Sequence, residues 1–528
     1  MGLRRRLEPD AGALRPLGAS ESLTIYWKRG CVATVRRCHA CRYLGSILGE
    51  RLRMSERFSS LGWPRSVIAR PRRAAAALAA MAASVFSVLP PAPAFAQGLP
   101  LIRDTEIENL LNDYARPIFK AAGLGSGRVA VRIVNNENFN AFVVDGRSVY
   151  IHTGALMQAQ RPNEVIGVLA HEAGHIAGGH MAALRARISQ DQTRALIAQI
   201  LGLGLMVAGG VAGGDSGRDL GGAGQSVLSG GNELIMRGLT AERRSQESAA
   251  DQAGLSYLNA TGQSGQGMLT TFERFAGQEL FSDQNRDPFA RTHPVATDRL
   301  ARLRQLVETS PNYGVTDSPA LQLRHDMMRA KLSGYIENPQ TVFNRYPSSD
   351  QSLPAKYARA VARFRMGGGG LEAALAEADQ LIKLEPQNTY FYELKADFLQ
   401  KSGRFAESIP LLRKAVQLSN GEAPLISVQL AQSMIQSKQP ALLDEAITIL
   451  RKAITREGEN AMAYNMLGQA YYDKGLTPQA ELARAQGLFY FGAIKQAQEF
   501  ARRAQGALKP GSPEWVKADD ILNYKPQT

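Results

Sequence analysis

The chain has 528 residues, of which 44% are hydrophobic and 21% charged, with three cysteines. This composition excludes a disordered, collagen-like or many-span membrane protein and suits roughly three or four globular domains. The formal net charge is +14, but residues 1–96 hold 16 of the 62 basic side chains and only 5 of the 48 acidic ones. Because the rest of the chain is nearly balanced, we expect no nucleic-acid partner.

A basic and then apolar leader precedes Gln97. An arginine-rich stretch, Arg65–Arg73, is followed by the uncharged residues 74–90 and by the small-residue pattern Ala94-Phe95-Ala96. This order is typical of a secretory signal peptide, so we expect export and a mature start near Gln97. The alternative is that residues 74–90 stay as a membrane anchor.

Met54 stands where an ordinary signal peptide would begin. We therefore expect residues 1–53 to be a non-native N-terminal extension and residues 54–96 to be the signal peptide. All three cysteines fall within residues 1–53. The exported chain would then contain no cysteine and need no disulfide.

A small β-sheet is predicted after a helical start at Ile102–Ala122. The stretch Val129–Val134 is rich in β-branched residues, and Asn140–Val144 is joined to Ser148–Ile151 through Asp145-Gly146. Asp-Gly between two such runs predicts a β-hairpin. From Asn163, which can cap a helix, the pattern becomes helical.

Residues 195–214 are nearly free of charge but interrupted by six glycines. Glycine weakens a helix, so we expect a buried or membrane-touching helical hairpin here rather than a membrane span. The glycine- and serine-rich residues 213–231 predict a mobile loop. Helices are predicted again at Asn232–Tyr257 and Ala296–Glu308.

Internal repeats follow a predicted domain end at residue 310 and a helical linker at 311–350. Small residues recur at intervals of 34 to 38 residues, at Ala374, Ser408, Ala446 and Ala480. The pattern around Tyr464–Tyr471 fits the 34-residue tetratricopeptide (TPR) repeat, so residues 351–528 predict an all-α TPR solenoid. Stacked repeats of this kind form a concave binding surface. An ordinary helical bundle is the alternative.

The motif His171-Glu172-Ala173-Gly174-His175 indicates a metal site. On a helix, His171 and His175 share a face and can bind one zinc ion, with Glu172 beside them as general base. A catalytic zinc usually takes three protein ligands. We choose Glu247 as the third, because Glu247 and Asp251 are four residues apart on a predicted second helix.

Asp251 would then accept the free N–H group of a ligand imidazole. Taken alone, the Glu247/Asp251 spacing is also common on solvated helix faces. His293 lies in a loop just before a predicted helix that carries Arg299, and is a further functional candidate. His180, His152 and His325 are weaker candidates.

These motifs resemble the Ste/HtpX-type zinc metallopeptidases, and in particular the periplasmic branch with a C-terminal TPR array. The residues in common are Asn140-Ala141-Phe142, His171–His175, Glu247 with Asp251, and Thr292-His293-Pro294 followed by Arg299. The resemblance implies one zinc ion bound by His171, His175 and Glu247. It also implies an α+β zincin-like domain at 97–310, mostly helical with a small sheet or hairpin.

The resemblance further implies that the strand Asn140, Ala141, Phe142, Val143 and Val144 is an edge to which an extended substrate adds. In this family, the counterpart of His293 belongs to a loop that can close the open zinc position, and the counterpart of Arg299 lies near the site. From chemistry alone, His293 or Arg299 could instead stabilise the oxyanion.

Together these features predict a periplasmic zinc endopeptidase that clears misfolded or misassembled outer-membrane β-barrel proteins. Its TPR array would recruit substrate or the assembly machinery, and residues 195–214 could contact the membrane peripherally. Two alternatives remain. One is a chaperone-like TPR adaptor with little proteolysis, and the other is a quality-control protease anchored in the inner membrane.

Overall fold

A computed structural model describes residues 99–526, apart from 126, 128, 145, 193–213 and 279–284. The predicted signal peptide, the Met54 start and nearly all of the apolar stretch 195–214 therefore lie outside the described residues. Among the helices that are described, none is long and apolar enough to cross a membrane.

A four-stranded mixed sheet lies at the N-terminal end of the described chain. Its strands are β1 (Leu101–Ile102), β2 (Ala130–Val134), β3 (Ala141–Val143) and β4 (Ser148–His152), in the spatial order β1-β2-β4-β3. β2 and β4 are parallel, and the outer strands pair antiparallel with their neighbours. The predicted hairpin is confirmed, with Phe142 opposite Tyr150. β3 therefore forms one edge of the sheet.

Helices cover the sheet and complete the first part of the chain. They are α1 (Thr105–Ala121), α2 (Thr153–Gln158), α3 (Pro162–Ala177), α4 (Gly214–Ala260), α5 (Gln266–Glu273), α6 (Pro288–Thr292) and α7 (Thr297–Glu308), with a further helical stretch at 180–192. α1 begins where the Asp104 side chain accepts a hydrogen bond from the Ile107 N–H. Its apolar face packs into the core shared with β2 and α3.

α3 begins one residue earlier than predicted. Pro162 occupies its first turn and Arg161 precedes it, so Asn163 is not the capping residue. Proline suits this position because it has no N–H group to leave unpaired. The Asn163 amide instead donates to Ser264 O and accepts from Gly267 N, which ties the start of α3 to the start of α5.

The prediction of a mobile loop at 213–231 is wrong. The structure has one helix of 47 residues, α4, which begins at Gly214 and continues to Ala260. Each glycine in a helix costs about 1 kcal/mol, which is the basis of the loop prediction. Extending an existing helix is easier than starting one, so the helix predicted from Asn232 can continue towards the N-terminus through glycines.

The predicted all-helical C-terminal region is confirmed. Its helices are α8 (Pro319–Ile336), α9 (Pro339–Arg345), α10 (Leu353–Met366), α11 (Gly370–Leu384), α12 (Thr389–Lys401), α13 (Phe405–Leu418), α14 (Pro424–Gln436), α15 (Leu443–Arg456), α16 (Ala461–Asp473), α17 (Thr477–Tyr490), α18 (Ile494–Ala507) and α19 (Pro513–Asn523). From α10 onward, each helix packs against the next one in the chain. The four repeated small residues are buried on α11, α13, α15 and α17. Their small side chains let each of these helices pack closely against a neighbouring helix.

A buried ionic cluster joins the C-terminal helices to the first part of the chain. Lys331 on α8 is 2.8 Å from Asp104, 3.1 Å from Glu106 and 3.9 Å from Glu393 on α12. We call these four residues the Lys331 cluster. Burial lowers the pKa of Lys331, but its carboxylate neighbours outweigh that effect and raise the pKa well above the ordinary value. The lysine therefore stays charged.

Candidate metal centre

The helix α3 places its two histidines and the intervening glutamate inside the protein. His171, Glu172 and His175 are all buried. α3 crosses α4 closely because glycines lie at the crossing. A Cβ atom on Gly174 would be 2.8 Å from Ala250 O, and one on Gly254 would be 3.1 Å from the backbone of Ala170. The close crossing brings the carboxylates of α4 against the imidazoles of α3.

Four buried side chains direct ligand atoms towards one point. They are His171, His175, Glu247 and His293. His171 Nε2 is 3.1 Å from His175 Nε2, 3.4 Å from Glu247 Oε2 and 3.2 Å from His293 Nδ1. Glu247 is also 3.4 Å from His175 Nε2 and 3.3 Å from His293 Nδ1. We call these four residues the metal cluster.

These separations fit a tetrahedral zinc ion. Zinc binds imidazole nitrogen and carboxylate oxygen at about 2.0–2.2 Å, which places neighbouring ligand atoms about 3.3–3.5 Å apart. The measured distances of 3.1 to 3.4 Å fall at or just below that value. The set of three nitrogens and one oxygen also matches the donors that zinc prefers. The structure thus brings together the three predicted ligands and adds His293 as a fourth donor.

Asp251 and Arg299 contact residues of the metal cluster without being part of it. Asp251 Oδ1 is 3.0 Å from His171 Nδ1, the ring nitrogen that faces away from the other ligand atoms. Arg299 donates to both oxygens of Asp251, at 2.6 and 2.7 Å, and its Nη1 is 2.9 Å from Glu247 Oε2. The guanidinium group also lies over the Phe272 ring. Arg299 therefore contacts the two carboxylates of α4.

His293 connects the metal cluster to the edge strand. It follows the short helix α6, and its Nε2 atom is 3.1 Å from the carbonyl oxygen of Ala141 on β3. The adjacent Thr292 hydroxyl donates to the Asn140 side chain. Thr292 and His293 thus hold this loop against Asn140 and the first residue of β3. The predicted edge-strand residues and the predicted loop histidine are in direct contact.

Glu172 has an oxygen atom without a hydrogen-bond partner. Within the described part of the chain, nothing donates a hydrogen bond to its buried Oε1 atom. His293 Nε2 is the ion-pair neighbour, at 3.3 Å. Because leaving a buried carboxylate oxygen unpaired costs free energy, such an atom in a site indicates a missing partner such as a water molecule.

Burial and neighbouring charges shift the pKa values of the candidate ligands in opposite directions. Burial lowers the pKa of His171, but Asp251 and Glu247 outweigh it and raise that pKa to about 9. Burial raises the pKa of Glu247, but His293 and the other histidines hold it well below the ordinary value. For His175 burial prevails and the pKa falls. The opposite shifts of His171 and Glu247 reflect the close contact between the carboxylates and the imidazoles.

Of the three other histidines that the structure describes, one lies near the site and two lie away from it. His180 Nδ1 is 2.9 Å from His175 Nδ1, a contact that sequence reasoning missed. The signal was present in Gly178-Gly179, which ends α3 and lets the chain turn back. His152 lies beside the Asn138 carbonyl oxygen, and His325 is buried between Tyr114 and Ala159.

Comparison with known proteins shows that the sequence is similar to metallopeptidases. Residues 102–307 match the sequence profile of Peptidase family M48. The chain is 25% identical to the β-barrel assembly-enhancing protease of Yersinia pestis over 430 residues, covering 80% of this chain and 83% of that protein. For the protein of the same name from Escherichia coli (strain K12), the identity is 24% over 437 residues with the same coverage.

Another relative covers about a third of the chain. Metalloprotease LoiP of Escherichia coli (strain K12) is 26% identical over 176 residues, which are 33% of this chain and 62% of that protein.

Proposed function

Because residues 102–307 match the sequence profile of Peptidase family M48, we propose that this protein is a zinc-dependent endopeptidase that hydrolyses unfolded polypeptides. The observation that carries the proposal is the metal cluster itself. Three ligands predicted from sequence lie within 3.1 to 3.4 Å of one another, with the unpaired oxygen of Glu172 beside them.

Each of the side chains has a role in peptide hydrolysis. His171, His175 and Glu247 would hold the ion, which supplies an acidic bound water and polarises the scissile carbonyl group. Glu172 accepts the proton of the attacking water and passes it to the leaving amine. The Oε1 atom of Glu172 supports this role, because it accepts no hydrogen bond from the described residues and only His293 Nε2 is its ion-pair neighbour there.

Asp251 and Arg299 act on the ligands. Asp251 faces His171 Nδ1 and would keep the proton on that nitrogen, so that Nε2 is free to bind the ion. Arg299 is hydrogen-bonded to Asp251 and ion-paired with Glu247. We therefore assign Arg299 to fixing these two carboxylates, in preference to binding the oxyanion.

His293 holds the centre in a resting state. Catalytic zinc sites keep one position open for water, whereas sites with four protein ligands are structural. His293 Nδ1 lies where the fourth ligand would be, and the loop that carries it is short. Its displacement would open that position.

Substitution of His293 separates the two roles open to it. We expect His293→Ala to raise the rate at which an unfolded substrate is cleaved, because the fourth position is then free for water. A loss of cleavage with zinc still bound would indicate the oxyanion role.

An extended substrate would bind along β3. This strand is the edge of the described sheet, next to the metal cluster. Asn140 O accepts from His152 N of β4, and successive carbonyl groups of a strand alternate in direction, so Ala141 O faces outward. Strand addition uses main-chain hydrogen bonds and gives loose sequence preference.

The location and partners follow from the relatives and the leader. Two relatives that each cover 80% of this chain bear the name β-barrel assembly-enhancing protease, so we propose misassembled outer-membrane β-barrel proteins as substrates and the periplasm as the compartment. The C-terminal helices α10–α19, proposed as a TPR array, would recruit substrate or the assembly machinery. Peripheral membrane contact through residues 195–214 remains part of the proposal.

Zinc analysis and an unfolded β-barrel substrate test the proposal together. We expect one zinc ion per chain in both wild type and Glu172→Gln, and cleavage about 10²- to 10⁴-fold slower in the variant. Binding of the unfolded substrate should survive the substitution. Binding without cleavage in the wild type would favour the adaptor. Retention in membranes after an alkaline wash would favour the anchored protease.

A further inference from the structure

The two metal-binding imidazoles of α3 differ in what their outer nitrogen contacts. His171 Nδ1 is 3.0 Å from a carboxylate oxygen of Asp251. His175 Nδ1 is 2.9 Å from Nδ1 of His180, which is another imidazole. In both residues Nε2 is the atom that faces the other ligands. His180 therefore lies against the outer nitrogen of His175, just as Asp251 lies against the outer nitrogen of His171.

The direction of this hydrogen bond follows from metal binding. A neutral imidazole that uses the Nε2 lone pair for the ion must carry its proton on Nδ1. His175 Nδ1–H is then the donor, and His180 Nδ1 is the acceptor, with the proton of His180 on its own Nε2. Groups that accept from the outer N–H of a metal-binding histidine fix the orientation of its ring and strengthen the ligand.

We propose that His180 is a positioning residue, which holds the His175 ring in the orientation that binds zinc. The inference rests on the zinc site proposed above. His180 is not a ligand in this arrangement, because its Nδ1 contacts the side of His175 that faces away from the other ligand atoms. The two rings meet edge to face, with centroids 5.0 Å apart, which restricts rotation of His175 further.

The backbone between the two histidines is shaped for this contact. α3 ends at Ala177, and Gly179 has φ of +65°, a conformation that suits glycine and turns the chain back towards its last turn. A Cβ atom on Gly178 would be 2.4 Å from His180 Nε2. The Gly178-Gly179 pair thus both ends the helix and leaves space for the imidazole.

Two substitutions in the full-length protein separate the hydrogen bond from packing. His180→Leu fills similar space but accepts no hydrogen bond. His180→Asn is the matched control, because Asn Oδ1 lies at the same position along the side chain as histidine Nδ1 and is an acceptor. The zinc dissociation constant would be measured for each by competition with a chromophoric chelator. The unfolding temperature would be measured for the zinc-free proteins.

We expect His180→Leu to bind zinc about 10- to 100-fold more weakly than wild type, and His180→Asn to recover most of that loss. The zinc-free proteins should unfold at similar temperatures. Wild-type affinity in His180→Leu, or equal losses in both variants, would overturn the role of His180 while the zinc site stands. A wild-type protein that binds no zinc would overturn the proposed function as well.

Discussion

The described chain buries two groups of charged residues, and they balance charge in opposite ways. In the Lys331 cluster, the point where the carboxylates meet is filled by the lysine ammonium group. In the metal cluster, three imidazole nitrogens and a carboxylate oxygen lie close enough together to hold a metal ion. The first arrangement is complete with protein atoms alone, whereas the second has the geometry of a site for an added cation.

The two clusters also connect different parts of the fold. The metal cluster joins α3, α4 and the loop after α6, which all lie in the first part of the chain. The Lys331 cluster joins the start of α1 to α8 and α12. We therefore expect substitutions in the Lys331 cluster to change stability, and substitutions around the metal cluster to change zinc affinity.

The largest effect is expected from Lys331→Met. Removing one partner of a buried ionic group leaves the others uncompensated and costs about 3–5 kcal/mol of unfolding free energy. Urea unfolding would measure this loss. Lys401→Met is the matched control, because Lys401 is half exposed in its pair with Asp397 and should lose no more than about 1 kcal/mol. Equal losses would show that burial of Lys331 is irrelevant.

A smaller effect is expected on the pH dependence of stability. Burial raises the pKa of Glu393 to about 8 from an ordinary value of 4.5. The folded chain thus keeps a proton that the unfolded chain releases, so this residue lowers the unfolding free energy as pH rises from about 4.5 to about 8. Glu393→Gln should flatten that decline in unfolding curves at pH 5 and pH 8.

The control for the pH measurement is Glu445→Gln. Glu445 pairs with Arg413 in solvent, where both side chains are more than two-fifths exposed. We expect its unfolding free energy to follow the wild-type curve at both pH values. A Glu393→Gln curve parallel to wild type would contradict the prediction.

The smallest loss of stability is expected from Gly174→Ala, which acts on the metal cluster. The added methyl group meets the backbone of Ala250 at 2.8 Å, so α3 and α4 must separate. Overpacking of this kind costs about 1–3 kcal/mol, and zinc affinity should fall because Glu247 moves away from the histidines.

Gly506→Ala on α18 is the control for the helix crossing. A Cβ atom there meets nothing within 4 Å, so the substitution should leave zinc affinity unchanged and stabilise the helix by about 1 kcal/mol or less. Unchanged zinc affinity in Gly174→Ala would show that the close crossing does not position the ligands.

Sequence reasoning found the candidate ligands that belong to local patterns. His171 and His175 are one helical turn apart, and Glu247 and Asp251 repeat that spacing, so each pair is visible in the printed chain. The hairpin around Gly146 and the helix at Thr297–Glu308 also follow from local signals. The periodicity of small residues likewise located the C-terminal helices.

What sequence reasoning missed depends on contacts between distant segments or on cooperativity. Lys331 meets Glu106 across 225 positions, and no local pattern distinguishes it from a solvated lysine. His180 is a weak candidate from sequence because, on a straight helix, a residue five positions after His175 lies on a different face. The turn at Gly178-Gly179 ends the helix and brings His180 Nδ1 next to His175 Nδ1. The start of α4 was missed because propagation outweighs the low propensity of glycine.

On the proposed mechanism, the hydrogen bond from His293 to the Ala141 carbonyl limits which proteins could be cleaved. An arriving strand has to offer an N–H group to the same outward carbonyl, and so competes with the histidine for it. In natively folded proteins, most main-chain N–H groups are already hydrogen-bonded within the protein's own structure. Only an unfolded chain would therefore have a free main-chain N–H group that can displace His293 from the Ala141 carbonyl.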